Sequence, residues 1–167
     1  MTLDLDGRIA LVTGASRGIG WAIAESLAAA GATVALHHSG RDPSAADALA
    51  ATCGNNSRAF AADLRQLDAP HVLWEAVEAE YGRIDVLVNN AGLGINGPFV
   101  KTDTTREDTS VQVNIVALTQ LMKSAAQHMH ANGAGKILNV ASTAAFMPGP
   151  HMAVYHASKS CVLSLSE

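Results

Sequence analysis

The chain has 167 residues, a net charge of −4, 49% apolar residues, 4% aromatics and two cysteines. These values predict one domain with its own core, exclude disorder by composition, and speak against a nucleic-acid partner, which calls for a basic excess. No apolar run reaches the ~20 residues of a membrane span, and the acidic start "MTLDLDGRIALVTG" lacks the basic and apolar regions of a signal peptide. Cys53 and Cys161 are isolated and read as reduced thiols of a cytoplasmic protein.

Apolar runs and helical patterns alternate along the chain. "RIALVT" (residues 8–13) reads as a first strand ending at glycines. "GWAIAESLAAA" (20–30) has helical apolar spacing, with Gly31 as its stop. "ATVALHH" (32–38) is a second strand, "PSAADALAAT" (43–52) a helix opened by Pro43, and "SRAFAAD" (57–63) a third strand. Asp68 is placed to cap a helix that closes at Gly82, and "RIDVLVNN" (83–90) is a fourth strand. "TTRE" (104–107) has capping-box spacing and opens one long helix to about Ala131. "KILNVAS" (136–142) is a fifth strand, "MPGP" (147–150) a turn, and the last helix carries "YHASK" (155–159). Continuous apolar strands predict burial on both faces. Alternating β and α units predict a doubly wound α/β fold, a parallel sheet with helices on both sides.

The first strand-to-helix turn, "TGASRGIG" (13–20), carries Gly14, Gly18 and Gly20. Glycines let a pyrophosphate approach the backbone, and the helix start offers it free N–H groups. An ordinary tight turn is the bland alternative; the placement inside a βα unit favours a dinucleotide. The spacing T-G-x-x-x-G-x-G resembles that of the short-chain dehydrogenase/reductase family. Four further motifs agree in order and separation: "NNAG" (89–92), Asn114 in "VNIVALT", Ser142 ending "LNVAS", and the YxxxK pair Tyr155 and Lys159. The resemblance spans residues 7–167. It implies a Rossmann-like sheet of strand order 3-2-1-4-5, lacking the family's last two strands.

The resemblance also implies an oxidoreductase that interconverts a carbonyl and a secondary alcohol by hydride transfer, with a small-molecule carbonyl or alcohol as substrate. Tyr155 would be the acid/base. A free phenol has a pKa of about 10, and a nearby cation favours the phenolate. Lys159, one helical turn along, would supply that charge and hold the nicotinamide ribose. Ser142 would orient the substrate oxygen, and Asn114 would fix a water leading from Lys159 to solvent. Gly14, Ser16, Arg17, Gly18, Ile19 and Gly20, then Asp63 and Leu64, then Asn90, Ala91 and Gly92 would line the cofactor, together with Tyr155 and Lys159. Asp63 would accept from adenine; a turn cap for "DLRQ" is its bland reading, and both can hold. Asn89 reads as a sheet brace and Thr13 as a turn brace. A lone Tyr/Lys pair at helical spacing is more often a solvated contact, but Ser142 and the glycine turn favour catalysis.

An acid just after the second strand would bind the ribose 2′-hydroxyl and select NAD. His37 stands near that position, and Asp42 comes later as a helix cap. Arg17 and Arg41 are placed to reach a 2′-phosphate, which a planar guanidinium suits. The expectation is NADP(H) over NAD(H), with His37 and Arg41 at the site. Other conspicuous residues read as structural. His128 and His130, two apart, do not share a helix face and predict a solvated helix end rather than a metal site. Trp21 and Trp74 read as packing residues, and Glu75, Glu78 and Glu80 as an exposed face.

Two departures from the family pattern carry expectations of their own. Glu107 and Ser110 stand where the family usually has apolar residues, which predicts a loosely packed, mobile start to the long helix. Family members run to about 250 residues, so the chain reads as C-terminally truncated. That predicts "KILNVAS" as an exposed apolar edge, a fraying last helix, a substrate pocket lacking one wall, and weak or no activity. A homodimer or homotetramer is the family expectation, through the long helix and the Tyr/Lys helix, and the truncation cuts into the second. The alternative is a non-catalytic nucleotide-binding module or an inactive fragment; the module would be expected to lose Tyr155 or Lys159. The first half resembles 3-oxoacyl-thioester reductases, the second half broad-specificity carbonyl reductases.

Overall fold

The computed structural model describes residues 4–41 and 43–167. Asp42, the expected helix cap, lies outside the described residues. Five strands, β1 (Ile9–Val12), β2 (Thr33–His38), β3 (Arg58–Ala61), β4 (Val86–Asn89) and β5 (Lys136–Asn139), pair in parallel in the order β3-β2-β1-β4-β5. The connections hold α1 (Gly18–Ala29), α2 (Pro43–Cys53), α3 (Ala69–Tyr81), α4 (Thr104–Val111), α5 (Leu118–Ala131) and α6, which follows β5 (Ala153–Leu165). This is the doubly wound α/β sheet expected from the alternating pattern.

Side chains alternate across the sheet. Leu11 of β1 enters a core with Leu73, Trp74 and Val77 of α3 and Leu121 of α5. Its neighbours Ala10 and Val12 enter a second core with Ala24 of α1, Leu49 of α2 and Val34 of β2. Burial on both faces therefore holds for the inner strands. It fails for β3 and β5, whose residues are half-buried or exposed. Each of these pairs on one side only among the described residues, so fewer neighbours cover it. Leu138 of β5 is exposed, as the edge expectation requires.

The single long helix is not continuous. A π-helical turn, Gln112–Ala117, separates α4 from α5. Such turns recur at functional sites because they re-aim a side chain, and this one carries Asn114. Helix α4 is capped one residue earlier than the "TTRE" box suggests: Asp103 Oδ1 accepts from the Arg106 N–H at 3.0 Å. Asp68 precedes α3 without a side-chain cap bond.

The loosening expected at Glu107 and Ser110 is not observed. Ser110 is buried and donates to the Leu93 carbonyl at 2.8 Å, while Glu107 accepts from the Thr102 hydroxyl at 2.5 Å. Hydrogen bonds replace the apolar packing. The end of α6 has partners of its own: Ser166 Oγ donates to the Val162 carbonyl (2.6 Å) and accepts from Asn139 Nδ2 (2.9 Å), linking the helix end to β5. His128 is no solvated helix end. Its Nε2 accepts from the Ile84 N–H (3.2 Å), its Nδ1 meets Glu78 (2.8 Å), and its ring packs edge-on to Trp74. A nearly buried imidazole with both nitrogens engaged braces α5 against α3. Trp74 is buried and Trp21 partly so, and Glu75 and Glu80 are paired with His71 and Arg58. No metal-holding cluster of His, Cys, Asp or Glu occurs among the described residues.

Candidate active site

The strand order reverses direction between β1 and β4, and a cleft of about 780 Å³ opens over the strand ends there. The three glycines of the first turn serve different needs. Gly14 and Gly18 have φ of 65° and 60°, a region that side chains disfavour. A β-carbon on Gly20 would overlap the Gly14 carbonyl and crowd Asn90 Nδ2. Arg17 precedes α1 without a side-chain cap bond, and the first turn of α1 holds no acid. The helix start therefore faces the cleft without a side-chain anion of its own.

Thr13 is the brace expected. Its Oγ1 accepts from the N–H groups of Asn90 (2.9 Å) and Ala91 (3.0 Å) and donates to the Val88 carbonyl. Asn90 Nδ2 donates back to the carbonyls of Thr13 (2.9 Å) and Gly14 (3.2 Å), locking the glycine turn to "NNAG". Asn89 Nδ2 donates to Asn139 Oδ1 across β4 and β5.

His37 lines the cleft but has no free polar atom to offer a ribose. Its Nδ1 accepts from the Gly14 N–H (3.0 Å) and its Nε2 bonds the Ala62 carbonyl (2.9 Å). Burial is the main cause that pushes its pKa down to about 4. Asp63 caps its turn by accepting from the Arg65 N–H, and both its oxygens face the Arg65 guanidinium. That hydrogen bonding, with Arg41 contributing, holds the Asp63 carboxyl below its usual range. A carboxylate oxygen has more than one acceptor site, so the pair leaves Asp63 able to take a further donor.

At the other end, Lys159 Nζ donates to the Val140 carbonyl at 2.7 Å and lies 6.0 Å from the centre of the Tyr155 ring. Lys159 is 5% exposed, and burial lowers its pKa. Gly92 and Gly94 leave space here: a β-carbon on Gly92 would crowd Asn114 Oδ1, and one on Gly94 would press on the Met152 methyl and the Tyr155 ring. Asn114 is 1% exposed. Its Oδ1 accepts from the Leu93 N–H, and its Nδ2 donates to the Leu93 carbonyl and to Ser158 Oγ, each at 2.9 to 3.0 Å. Ser158 in turn donates to the Tyr155 carbonyl. The Asn114 amide is thus a clamp joining the π turn, the segment after β4 and α6. Ser142 Oγ accepts from the Ala144 N–H at 3.1 Å, capping a 3₁₀ turn, Thr143–Phe146, beside the cleft wall at Ala141.

One cleft brings together Gly14, Ser16, Arg17, Gly18, Ile19, Gly20, His37, Arg41, Asp63, Leu64, Asn90, Ala91, Gly92, Tyr155 and Lys159. Asn114 and Ser142 stand outside its lining. Sequence reasoning passed over Ser39, Arg65, Val140 and Met152, which line it too. Arg65, two residues after Asp63 in "DLRQ", was findable as an ion-pair partner; the Val140 carbonyl that holds Lys159 is backbone and leaves no sequence signal. A second hollow of about 770 Å³ lies outside α6 between Phe146, Pro148 and Ala157; it holds neither the glycine turn nor the Tyr/Lys pair.

A cleft at the switch point of a doubly wound sheet is where this class of protein holds dinucleotides. The glycine cradle and the helix start without an anion fit such a group. The short chain dehydrogenase family model matches residues 8–167, and the chain belongs to that family. It is similar to nodulation protein G of Rhizobium sp. (strain N33), at 38% identity over 98% of this chain and 66% of that protein. It is similar in structure to a metagenomic short-chain oxidoreductase in complex with NADP, with a TM-score of 0.90 and 39% identity over 96% of this chain and 74% of that one. It is also similar to the 3-ketoacyl-(acyl-carrier-protein) reductase of Brucella melitensis complexed with NADH, with a TM-score of 0.89 and 35% identity over 97% and 68%. The chain spans about two thirds of the length of the curated relatives it matches.

Proposed function

We propose that the chain carries the catalytic groups of an NADP(H)-dependent oxidoreductase interconverting a carbonyl and a secondary alcohol, with 3-oxoacyl thioesters or simple ketones as the substrate class. The observation that carries this reading is that the glycine turn and the Tyr155/Lys159 pair face the same cleft. The nicotinamide supplies the hydride to the carbonyl carbon. Gly14, Gly18 and Gly20 let the pyrophosphate approach the backbone, and the start of α1 offers it N–H groups. Tyr155 gives its hydroxyl proton to the carbonyl oxygen, and in reverse takes it back from the alcohol. Lys159, anchored by the Val140 carbonyl, holds its ammonium 6.0 Å from the centre of the Tyr155 ring and would hold the nicotinamide ribose. Ser142 orients the substrate oxygen with its hydroxyl proton, which no described residue accepts. Asn114 clamps the segment after β4 through Leu93 and would fix a water leading from Lys159 to solvent. Asp63, held by Arg65, accepts from adenine.

The preference for NADP(H) is supported by Arg17 and Arg41 on the cleft and by the absence of a carboxylate at His37. Similar structures hold NADP in one case and NADH in another, and a titration with both cofactors separates them. A homodimer or homotetramer is supported by apolar exposure beside α6, where Phe146 is 74% exposed. No helix among the described residues is long and apolar enough to cross a membrane, and the unpaired Cys53 and Cys161 support a cytoplasmic setting.

The purified chain is titrated with NADPH and NADH, then offered ketones, 3-oxoacyl thioesters and sugars. The expected result is tighter binding of NADPH, with the preference narrowed by Arg17→Ala. Turnover should fall ~100-fold or more in Tyr155→Phe, with cofactor affinity kept. Tighter NADH binding would overturn the cofactor reading. NADPH binding without turnover of any substrate would favour a nucleotide-binding module or an inactive fragment.

A further inference from the structure

His37 and His38 are consecutive at the end of β2, and both are buried. Each imidazole accepts the N–H of a glycine through Nδ1: His37 from Gly14 at 3.0 Å, His38 from Gly40 at 3.2 Å. Both glycines are left-handed, with φ of 65° and 81°. Gly14 opens the pyrophosphate turn. Gly40 lies between Ser39 and Arg41, which both line the cleft. The next N–H of the first turn, that of Ala15, bonds the His37 carbonyl at 2.9 Å. Two successive N–H groups of the glycine turn therefore end on His37. Because Nδ1 accepts, Nε2 must carry the proton that goes to the Ala62 carbonyl.

We infer that the His37–His38 pair positions the 2′-phosphate end of the dinucleotide site. Two imidazoles, each accepting a glycine N–H, hold the two glycine turns in the shapes that present Arg17 from one side and Arg41 from the other. The inference rests on the NADP(H) reading above. It makes His37 a positioning residue, acting through Gly14 rather than by touching the ribose. Protonating Nδ1 would set an N–H against the Gly14 N–H and release the turn. The groups that face His37 are His38 on its own strand and Asp63 after β3. Asp63 is paired with Arg65 and feels Arg41, and Arg17 at the start of α1 lines the same cleft. Burial, which pushes His37 down to about 4, outweighs the carboxylate that would raise it.

The test compares the wild type with His37→Asn and His37→Gln. An Asn oxygen can stand where Nδ1 stands and accept from Gly14; a Gln reaches further, toward Ala62, and leaves Gly14 without an acceptor. Without cofactor, amide hydrogen exchange of Gly14 should be slow in the wild type and in His37→Asn, and about tenfold faster in His37→Gln. The Kd for NADPH at pH 7.5 should stay within about twofold in His37→Asn and rise about tenfold in His37→Gln, with a smaller rise for NADH. Between pH 7.5 and 4.5 the ratio of wild-type to His37→Asn Kd should climb; titration of the 2′-phosphate and of Asp63 is common to both and cancels. A flat ratio, or unchanged Gly14 exchange in His37→Gln, would overturn the inference. If neither variant folds, ring ¹⁵N shifts of His37 in the wild type decide: a protonated Nδ1 at neutral pH overturns it, a bare Nδ1 supports it. Should NADH bind as tightly as NADPH to the wild type, the NADP(H) reading fails, while Gly14 exchange still reports whether His37 holds the turn.

Discussion

The two ends of the cleft are built by opposite means. At the nucleotide end, side chains hold backbone: Thr13, His37 and Asn90 bond the amides and carbonyls of the glycine turn and of "NNAG". At the reacting end, backbone holds side chains: the Val140 carbonyl anchors Lys159, and the N–H and C=O of Leu93 grip Asn114. The first arrangement shapes a surface of main-chain groups; the second fixes individual side chains. A substitution at one end should therefore damage binding, and at the other the chemistry.

The largest expected effect breaks the nucleotide end. Gly20→Val places side-chain carbon on the Gly14 carbonyl and against Asn90 Nδ2, a backbone oxygen and a side-chain amide held by their own hydrogen bond. Overpacking of this kind should cost about 3 kcal/mol in urea unfolding and abolish dinucleotide binding. Gly18→Ala is the control. Its φ is left-handed but no atom lies within 4 Å of the added carbon, so it should cost about 1 kcal/mol. Equal losses in the two variants would mean that close approach is not what Gly20 provides.

Asn114→Ala tests the reacting end. It strips the acceptor from the Leu93 N–H and a donor from both Leu93 and Ser158 in a buried setting. The expected loss is about 2 kcal/mol. Turnover should fall while the Kd for NADPH stays nearly unchanged, because the clamp lies beneath Tyr155 and not beneath the glycine turn. A larger change in cofactor affinity than in kcat would erase the division between the two ends.

These residues also mark what could be read from the chain alone. The parallel sheet was legible because apolar runs alternate with helical patterns; its strand order was legible only through the family resemblance that the five motifs carry. The residues that line the cleft were legible through the motifs at fixed spacing. What they do there was not. His37 could be placed at the end of β2, but its turning inward to hold Gly14 depends on a contact 23 residues away. The π turn at Asn114 was invisible, since its spacing is indistinguishable from an α-helix over so few residues. Ser110 looked like a flaw in an apolar face because its acceptor, the Leu93 carbonyl, is backbone.

The smallest effect sharpens the nucleotide end by pH. His37 titrates at about 4 in the folded chain against an ordinary 6.5. Above pH 6.5 both states are neutral there and the residue adds no pH dependence. Between 6.5 and 4 the unfolded chain takes up a proton that the folded chain refuses, so stability falls as pH falls, by at most ~1.4 kcal/mol per unit. From pH 7.5 to 5 the loss is about 2 kcal/mol. Asp63 acts in a separate window: its pKa is lowered from 3.8, so its contribution is full above that value and is lost only below it. Urea midpoints at pH 7.5, 6 and 5 should therefore fall more steeply for the wild type than for His37→Asn, which cannot titrate at that position. Parallel slopes would mean that residue 37 is not held neutral by burial, and that the glycine turn does not depend on a bare Nδ1.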